Sequence, residues 1–222
     1  MSSRVRSAAG GGRTVDVSPA RLSGWVTRFG LRNNGIADMT ADPTGVSIVG
    51  GDGTSARIDA PFPPMTVSHR EPVEAVLDHL AGVGTIGLIL VRAGAHSVGI
   101  CRDAVVTGSS TGTHYVQGRT AAGGWSQQRY ARRRGNQLAA AQESTATAAA
   151  RVLADVPLDA LIVGGDLRSI AAVLDDPRLA RLITLPRREF RDIVEPRRMV
   201  LDDVARRSLD VQITVRDASS KG

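Results

Sequence analysis

Three strand-like runs, residues 86–91, 97–101 and 104–109, follow one another closely and give way to a long alanine-rich stretch. Strands bunched first and then alternating with helices predict a mixed sheet with helices on its faces. The stretch from residue 129 to about residue 154 is rich in alanine and carries Gln137, Gln142 and Glu143. These are good helix formers, and Pro157 bars continuation. Tyr130, Leu138, Ala141, Ala149, Val152 and Leu153 form the inward face of that helix. Residues 160–163 read as a continuous apolar strand, and Gly164-Gly165-Asp166 opens another helix with Asp166 as N-cap. Residues 182–185 read as a strand, 199–207 as a helix and 210–215 as a final alternating strand. The fold class is α/β, an α+β mixed sheet.

Ahead of this region lies a smaller pattern. Residues 14–17 alternate like a strand, and Ser18-Pro19 supplies an N-cap and a proline at the first helical position. Leu22, Trp25, Val26 and Phe29 recur at helical spacing up to Gly30, which assigns Trp25 to the core. Residues 46–49 and 56–58 form a hairpin through Gly50-Gly51-Asp52-Gly53. Pro61, Pro63 and Pro64 end this unit, and Glu71-Pro72 starts a helix with Val73, Val76, Leu77 and Leu80 on one face. The expected organisation is a tail at 1–13, a small N-terminal α+β extension at 14–70, the main domain at 71–217 and a tail at 218–222.

Composition removes several classes of function. No apolar run reaches the roughly 20 residues of a membrane span, and residues 1–13 lack the apolar stretch of a secretory signal. The single cysteine, Cys101, excludes an internal disulfide framework and reads as a buried structural thiol. A cytoplasmic location is expected. His69, His79, His96 and His114 show no metal-ligand spacing, so neither a metal nor another cofactor is expected. His114, on a strand, reads as packed or solvent-facing.

The net charge of +6 favours a polyanionic partner, but 27 of the 28 basic residues are arginine, as a biased composition alone would produce. Distribution is more informative. Residues 119–134 contain five arginines and no acid, whereas the seven arginines of residues 187–207 are mixed with carboxylates. The first cluster surrounds a loop, residues 118–128, made of small and polar residues. Gly123 and Gly124 permit backbone angles closed to other residues and allow close approach to a ligand. Arg129, Arg132, Arg133 and Arg134 crowd the first turns of the following helix, where they oppose its dipole. That arrangement suits phosphates arriving from outside, which the arginine fork grips well. A solvated loop and basic helix end is the plain alternative.

Gly118-Arg119, then Gly123-Gly124-Trp125-Ser126-Gln127-Gln128-Arg129-Tyr130-Ala131-Arg132-Arg133-Arg134, resembles the Gly-Gly-Gln segment of archaeal and eukaryotic class-I translation termination factors. That family has Gly-Arg before the glycines and an Arg-aromatic-Ala-Arg helix start after the glutamine. The segment is closer still to the Vms-like branch, peptidyl-tRNA hydrolases of ribosome quality control, in which a residue separates the glycines from the glutamine. Here Trp125 and Ser126 both intervene. Counting from Gly124 favours Gln127 as the functional glutamine, and counting back from Arg129 leaves Gln128 open.

The resemblance, to an actinobacterial-type Vms-like release factor domain, implies an RNase H-like catalytic domain. It also implies codon-independent hydrolysis of peptidyl-tRNA on stalled ribosomes or large subunits. Gly123, Gly124 and Gln127 or Gln128 would be catalytic, and Arg119, Arg129, Arg132, Arg133 and Arg134 would bind RNA. The partners implied are the large ribosomal subunit, its rRNA and peptidyl-tRNA, met by a monomer. A non-catalytic ribosome- or tRNA-binding module is the second reading. A metal-dependent nuclease is a third, with Asp103, Asp159, Asp166 and Asp210 as carboxylates by type.

Overall fold

The computed structural model describes residues 5–7, 11–67, 71–115 and 125–218, with the backbone alone at Val5, Trp125, Ser126, Gln127, Gln128, Tyr130 and Ala131. It is a mixed α/β structure with two sheets, and the chain divides into two units, Met1–Val83 with Leu209–Gly222, and Gly84–Ser208.

The first unit holds β1 (Val5–Ser7), β2 (Arg13–Val17), α1 (Pro19–Arg32), β3 (Ile36–Asp42), β4 (Gly45–Gly50), β5 (Ser55–Asp59), α2 (Pro72–Ala81) and β11 (Val211–Arg216). Its six strands pair antiparallel in the order β1-β2-β11-β5-β4-β3. Alternation sends Val46, Ile48, Ala56, Ile58, Val211, Ile213 and Val215 into a core completed by Leu22, Val26 and Phe29 of α1 and Ala75, Val76 and Leu80 of α2. Trp25 packs against this core and stacks on Phe29 with ring centroids 5.5 Å apart, the role its spacing predicts. Arg57 takes Asp42 bidentately at 2.7 and 2.9 Å. Those bonds, with two more from Thr44, hold the Asp42 carboxyl well below the usual range.

This division departs from the expected boundaries. The proline cluster suggests a break before α2, yet α2 buries its apolar face in the six-stranded unit, and β11 is inserted between β2 and β5. The second unit is therefore an insertion between α2 and β11. Ile36–Asp42 has no strong strand pattern because β3 is a sheet edge, largely exposed and bulged between Ile36 and Asp38.

The second unit runs β6 (Thr85–Arg92), β7 (Ala95–Arg102), β8 (Val105–Thr113), α3 (Trp125–Leu153), β9 (Ala160–Gly165), α4 (Leu167–Leu174), β10 (Arg187–Phe190) and α5 (Arg198–Arg206). Its sheet has the order β10-β9-β6-β7-β8. β6, β7 and β8 form an antiparallel meander, β9 is parallel to β6, and β10 is parallel to β9. β6 and β9 are buried on both faces and read as near-continuous aliphatic runs for that reason. Ile89, Val91, Val98, Leu161 and Val163 face α3 and α4, contributing to a core with Ala146, Ala149, Leu153, Ile170 and Val173. On the other face α5 approaches so closely that a Cβ at Gly99 would lie 2.8 Å from Leu201 Cδ2. Cys101 is buried beside Ala205 and Ser208 on that side, and burial pushes its thiol pKa up.

Residues 182–185 are not a strand. Asp176 accepts from the Arg178 N–H at 2.9 Å, Pro177 starts a 3-10 helix running to Thr184, and Leu179 and Leu182, three apart, are both buried. The strand comes later as β10, a short polar edge. The guanidiniums of Arg188 and Arg207 lie over its Phe190 ring, 4.9 and 5.1 Å from the centroid. β8 runs on to Thr113, beyond the expected end at residue 109.

Candidate functional site

Helix α3 is anchored by its C-terminal half. Ala141, Thr145, Ala146, Ala148, Ala149 and Leu153 are buried. Arg178 reaches Glu143 at 3.1 Å, Arg151 donates to Ser110 Oγ at 2.8 Å, and Arg181 caps the last turn by donating to the carbonyls of Leu153 and Val156. Among residues 132–140 none is fully buried; Arg134, Gln137 and Leu138 are half-buried and the rest exposed. At 1.5 Å per residue, the helix start at Trp125 lies about 24 Å along the axis from Ala141, the first buried anchor. A long arm thus carries the first turn away from the core.

The helix begins at Trp125, four residues before the sequence expectation of 129. Gln127 and Gln128 consequently lie in its first turn and not in the loop, about 100° apart round the axis. The N–H groups of this turn have no acceptor further back in the helix. Gly123, Gly124 and Arg119 lie outside the described residues.

Arg129, Arg132 and Arg133 are exposed and Arg134 is half-buried. None of the four forms an ion pair with a carboxylate among the described residues. The later arginines differ: Arg191 pairs with Glu189 at 3.1 Å, Arg197 with Glu195 at 3.0 Å, Arg198 with Asp202 at 2.9 Å and Arg207 with Asp203 at 3.1 Å. Exposed pairs add little stability, but they cancel charge. The two arginine clusters thus differ in unneutralised potential, and the α3 start keeps its own.

At the base of the loop, where β8 ends, His114 N–H donates to the Gly94 carbonyl at 2.9 Å and its ring stacks on His96, centroids 6.5 Å apart. The nearest ring atom of His96 would lie 2.7 Å from a Cβ at Gly112, so only glycine fits there. His96 is buried, and its Nδ1 has no hydrogen-bond partner among the described residues. Burial, followed by the charges of His114 and Arg151, pushes its pKa below the ordinary 6.5. The unfolded chain therefore binds this proton more readily than the folded one. The stability concerned is fully present above about pH 6.5 and is lost as the pH falls below it. Between about pH 7.5 and about pH 5.5 the wild-type Tm should drop further than that of His96→Gln; equal drops in a thermal melt would clear His96 of this role. His96 and the exposed Tyr115 beside the loop escape sequence reasoning, which has no signal for a buried histidine without a partner.

The carboxylates proposed by type for a nuclease do not come together. Asp159 accepts from the N–H groups of Gly84 and Thr85 at 3.1 and 2.7 Å, and Asp166 caps α4 by accepting from Arg168 N–H at 3.1 Å. These two residues bracket β9, about 23 Å apart at roughly 3.3 Å per strand residue, and Asp210 belongs to the first unit. No three His, Cys, Asp or Glu side chains converge on a common point among the described residues. No helix among them is long and apolar enough to cross a membrane.

The model of the Actinobacteria/chloroflexi VLRF1 release factor family matches residues 84–214, more than half of the chain. The chain belongs to this family of release factors. The match starts where the second unit starts and takes in most of β11. Among solved structures the chain is similar to an archaeal translation termination factor, aRF1, with 14% identity and a TM-score of 0.31, over 82% of this chain and 61% of that one. The chain thus spans less than two thirds of that factor. No curated protein matches.

Proposed function

We propose that this chain is a codon-independent peptidyl-tRNA hydrolase that frees nascent chains from stalled ribosomes or large subunits. The observation that carries the reading is the start of α3, an acid-free arm end bearing glutamines, and arginines with no carboxylate partner among the described residues, in a member of a release-factor family. The sheet order, an antiparallel three-stranded meander extended by two parallel strands, supports an RNase H-like classification of the second unit. The proposed setting is the cytoplasm, and the proposed acting form is a monomer.

Glutamine does not titrate near neutral pH and cannot serve as a general base. Gln127, or Gln128 in its place, would hold a water against the ester that joins the peptide to the tRNA 3′ end. The water oxygen attacks the ester carbonyl carbon, the bond to the ribose oxygen breaks, and that oxygen takes up a proton. Orienting one water while excluding the bulk is worth several kcal/mol. A backbone N–H of the first turn, or of Gly123 or Gly124, would stabilise the developing oxyanion. Ribosomal RNA of the large subunit supplies the remaining groups, so the isolated protein would be nearly inactive on small esters.

Arg119, Arg129, Arg132, Arg133 and Arg134 would lock the arm onto rRNA and the tRNA end. Replacing Arg132 and Arg133 by Gln should weaken binding to large subunits and reduce the slope of log K against log salt by about 1.5, since each phosphate contact contributes roughly 0.7–0.9. An unchanged slope would remove these residues from the interface.

The direct test mixes purified protein with large subunits carrying peptidyl-tRNA and measures free peptide. Release supports the hydrolase. Binding without release supports the second reading, a ribosome- or tRNA-binding module, which the spacing Gly-Gly-Trp-Ser-Gln favours.

A further inference from the structure

We infer that the first unit carries its own docking surface for duplex RNA, an arginine stripe along α1, with ribosomal RNA as the source. The inference rests on the proposed ribosomal role only for that source.

Helix α1 spans Pro19–Arg32 and contains no acidic residue. Arg21, Arg28 and Arg32 are all exposed and lie within about 40° of one another round the helix axis, spread over about 16 Å of its length. None of the three is paired with a carboxylate among the described residues. The acidic residue just before the helix, Asp16, is taken by Arg6 at 3.0 Å, and Asp42 and Asp59 share Arg57 at 2.7 and 3.5 Å. Three guanidiniums in line are thus left without a carboxylate partner among the described residues. Gly24 lies beside the stripe. A Cβ there would come 3.3 Å from Arg28 Nη1, so the missing side chain makes room for that guanidinium across the helix surface. A glycine inside a helix costs up to about 1 kcal/mol, and what it leaves is an open, basic, approachable backbone.

The chemistry selects the partner. Guanidiniums fork onto phosphate oxygens, and a row of positive charge matches a polynucleotide backbone better than scattered acidic side chains. Duplex RNA is recognised largely through its phosphates and 2′-hydroxyls, without base reading. An anionic membrane is the weaker fit, because interfacial helices need a free apolar face. Here Leu22, Val26 and Phe29 are buried in the unit's own core, leaving Leu31 as the large apolar side chain exposed on this helix.

The test measures equilibrium binding of the full chain to vacant large ribosomal subunits, to free tRNA and to vesicles containing an anionic phospholipid. The triple variant Arg21→Gln, Arg28→Gln, Arg32→Gln should bind subunits at least about tenfold more weakly. Its salt slope should be lower by about 2–3. The matching triple lysine variant should recover most of the loss, which a folding defect would not allow. A loss seen on free tRNA but not on subunits would keep the duplex phosphates and move the source to tRNA. Unchanged binding to both RNAs overturns the inference, as does a loss confined to the vesicles. Because the readout is binding, a wild-type protein that bound subunits but released no peptide would leave the inference standing.

Discussion

Gln127→Ala should slow peptide release from ribosome-bound peptidyl-tRNA by two to three orders of magnitude, the usual effect of removing one preorganised polar group from a transition state. Gln128→Ala should slow it by less than about tenfold. The asymmetry follows from the helix start. Both residues lie in the first turn of α3, and neighbours on a helix differ by about 100°. When the arm enters the site from one direction, only one of the two can meet the ester. The count from Gly124 assigns that role to Gln127. A pre-steady-state release assay at saturating protein separates chemistry from binding, and binding itself should hardly change in either variant. A larger loss for Gln128→Ala would exchange their roles. No loss in either variant, with binding intact, would sink the hydrolase reading.

Gly165→Val should destabilise the second unit by about 3 kcal/mol or more. Gly165 closes β9 with φ +100°, a backbone region that side chains rarely adopt, and a Cβ there would lie 2.2 Å from the Val91 carbonyl oxygen. That oxygen accepts the Asp166 N–H at 2.8 Å and so belongs to the turn that starts α4. The variant must break the end of the β6–β9 pairing, lose the turn, or both. Gly135→Ala is the matched control. It lies in the exposed part of α3 with nothing within 4 Å of its Cβ, and should gain about 0.5–1 kcal/mol. Urea unfolding of both variants reads the difference. A Gly165→Val protein as stable as wild type would overturn the requirement for glycine in this turn.

Much of this was legible from residue pattern. The spacing of Leu22, Val26 and Phe29 marks α1, Val76 and Leu80 mark α2, and Asp166 marks the start of α4, because each reports a burial or a cap that is local in sequence. What pattern could not report is partnership across distance. The alternation of Val211, Ile213 and Val215 identifies a strand but is silent on which sheet it joins, and β11 turns out to complete the first unit. Edge strands are also weakly written. β3 and β10 bury little, so their polar residues resemble loop, and the apolar Leu182–Leu185 stretch looks more like a strand than β10 does. At the candidate site, the contrast between arginines with and without nearby acid is plain in the sequence and matches the ion pairs. The reach of the arm is not, since it depends on Ala141 being the first residue to find a buried neighbour.

The placement of β11 also bears on synthesis. The chain emerges from the N-terminus, so β2 and β5 exist long before the strand that belongs between them. Until residues 211–216 appear, these two strands expose facing edges that want pairing. The insert, by contrast, has its whole sheet in one continuous segment and can fold while the first unit waits. Once it has folded, the many residues between β5 and β11 no longer behave as a long floppy loop, and the entropy of closing the outer sheet falls accordingly. A protein proposed to rescue interrupted synthesis would itself be a poor survivor of it: a chain that stalls before β11 has a complete second sheet and an incomplete first one.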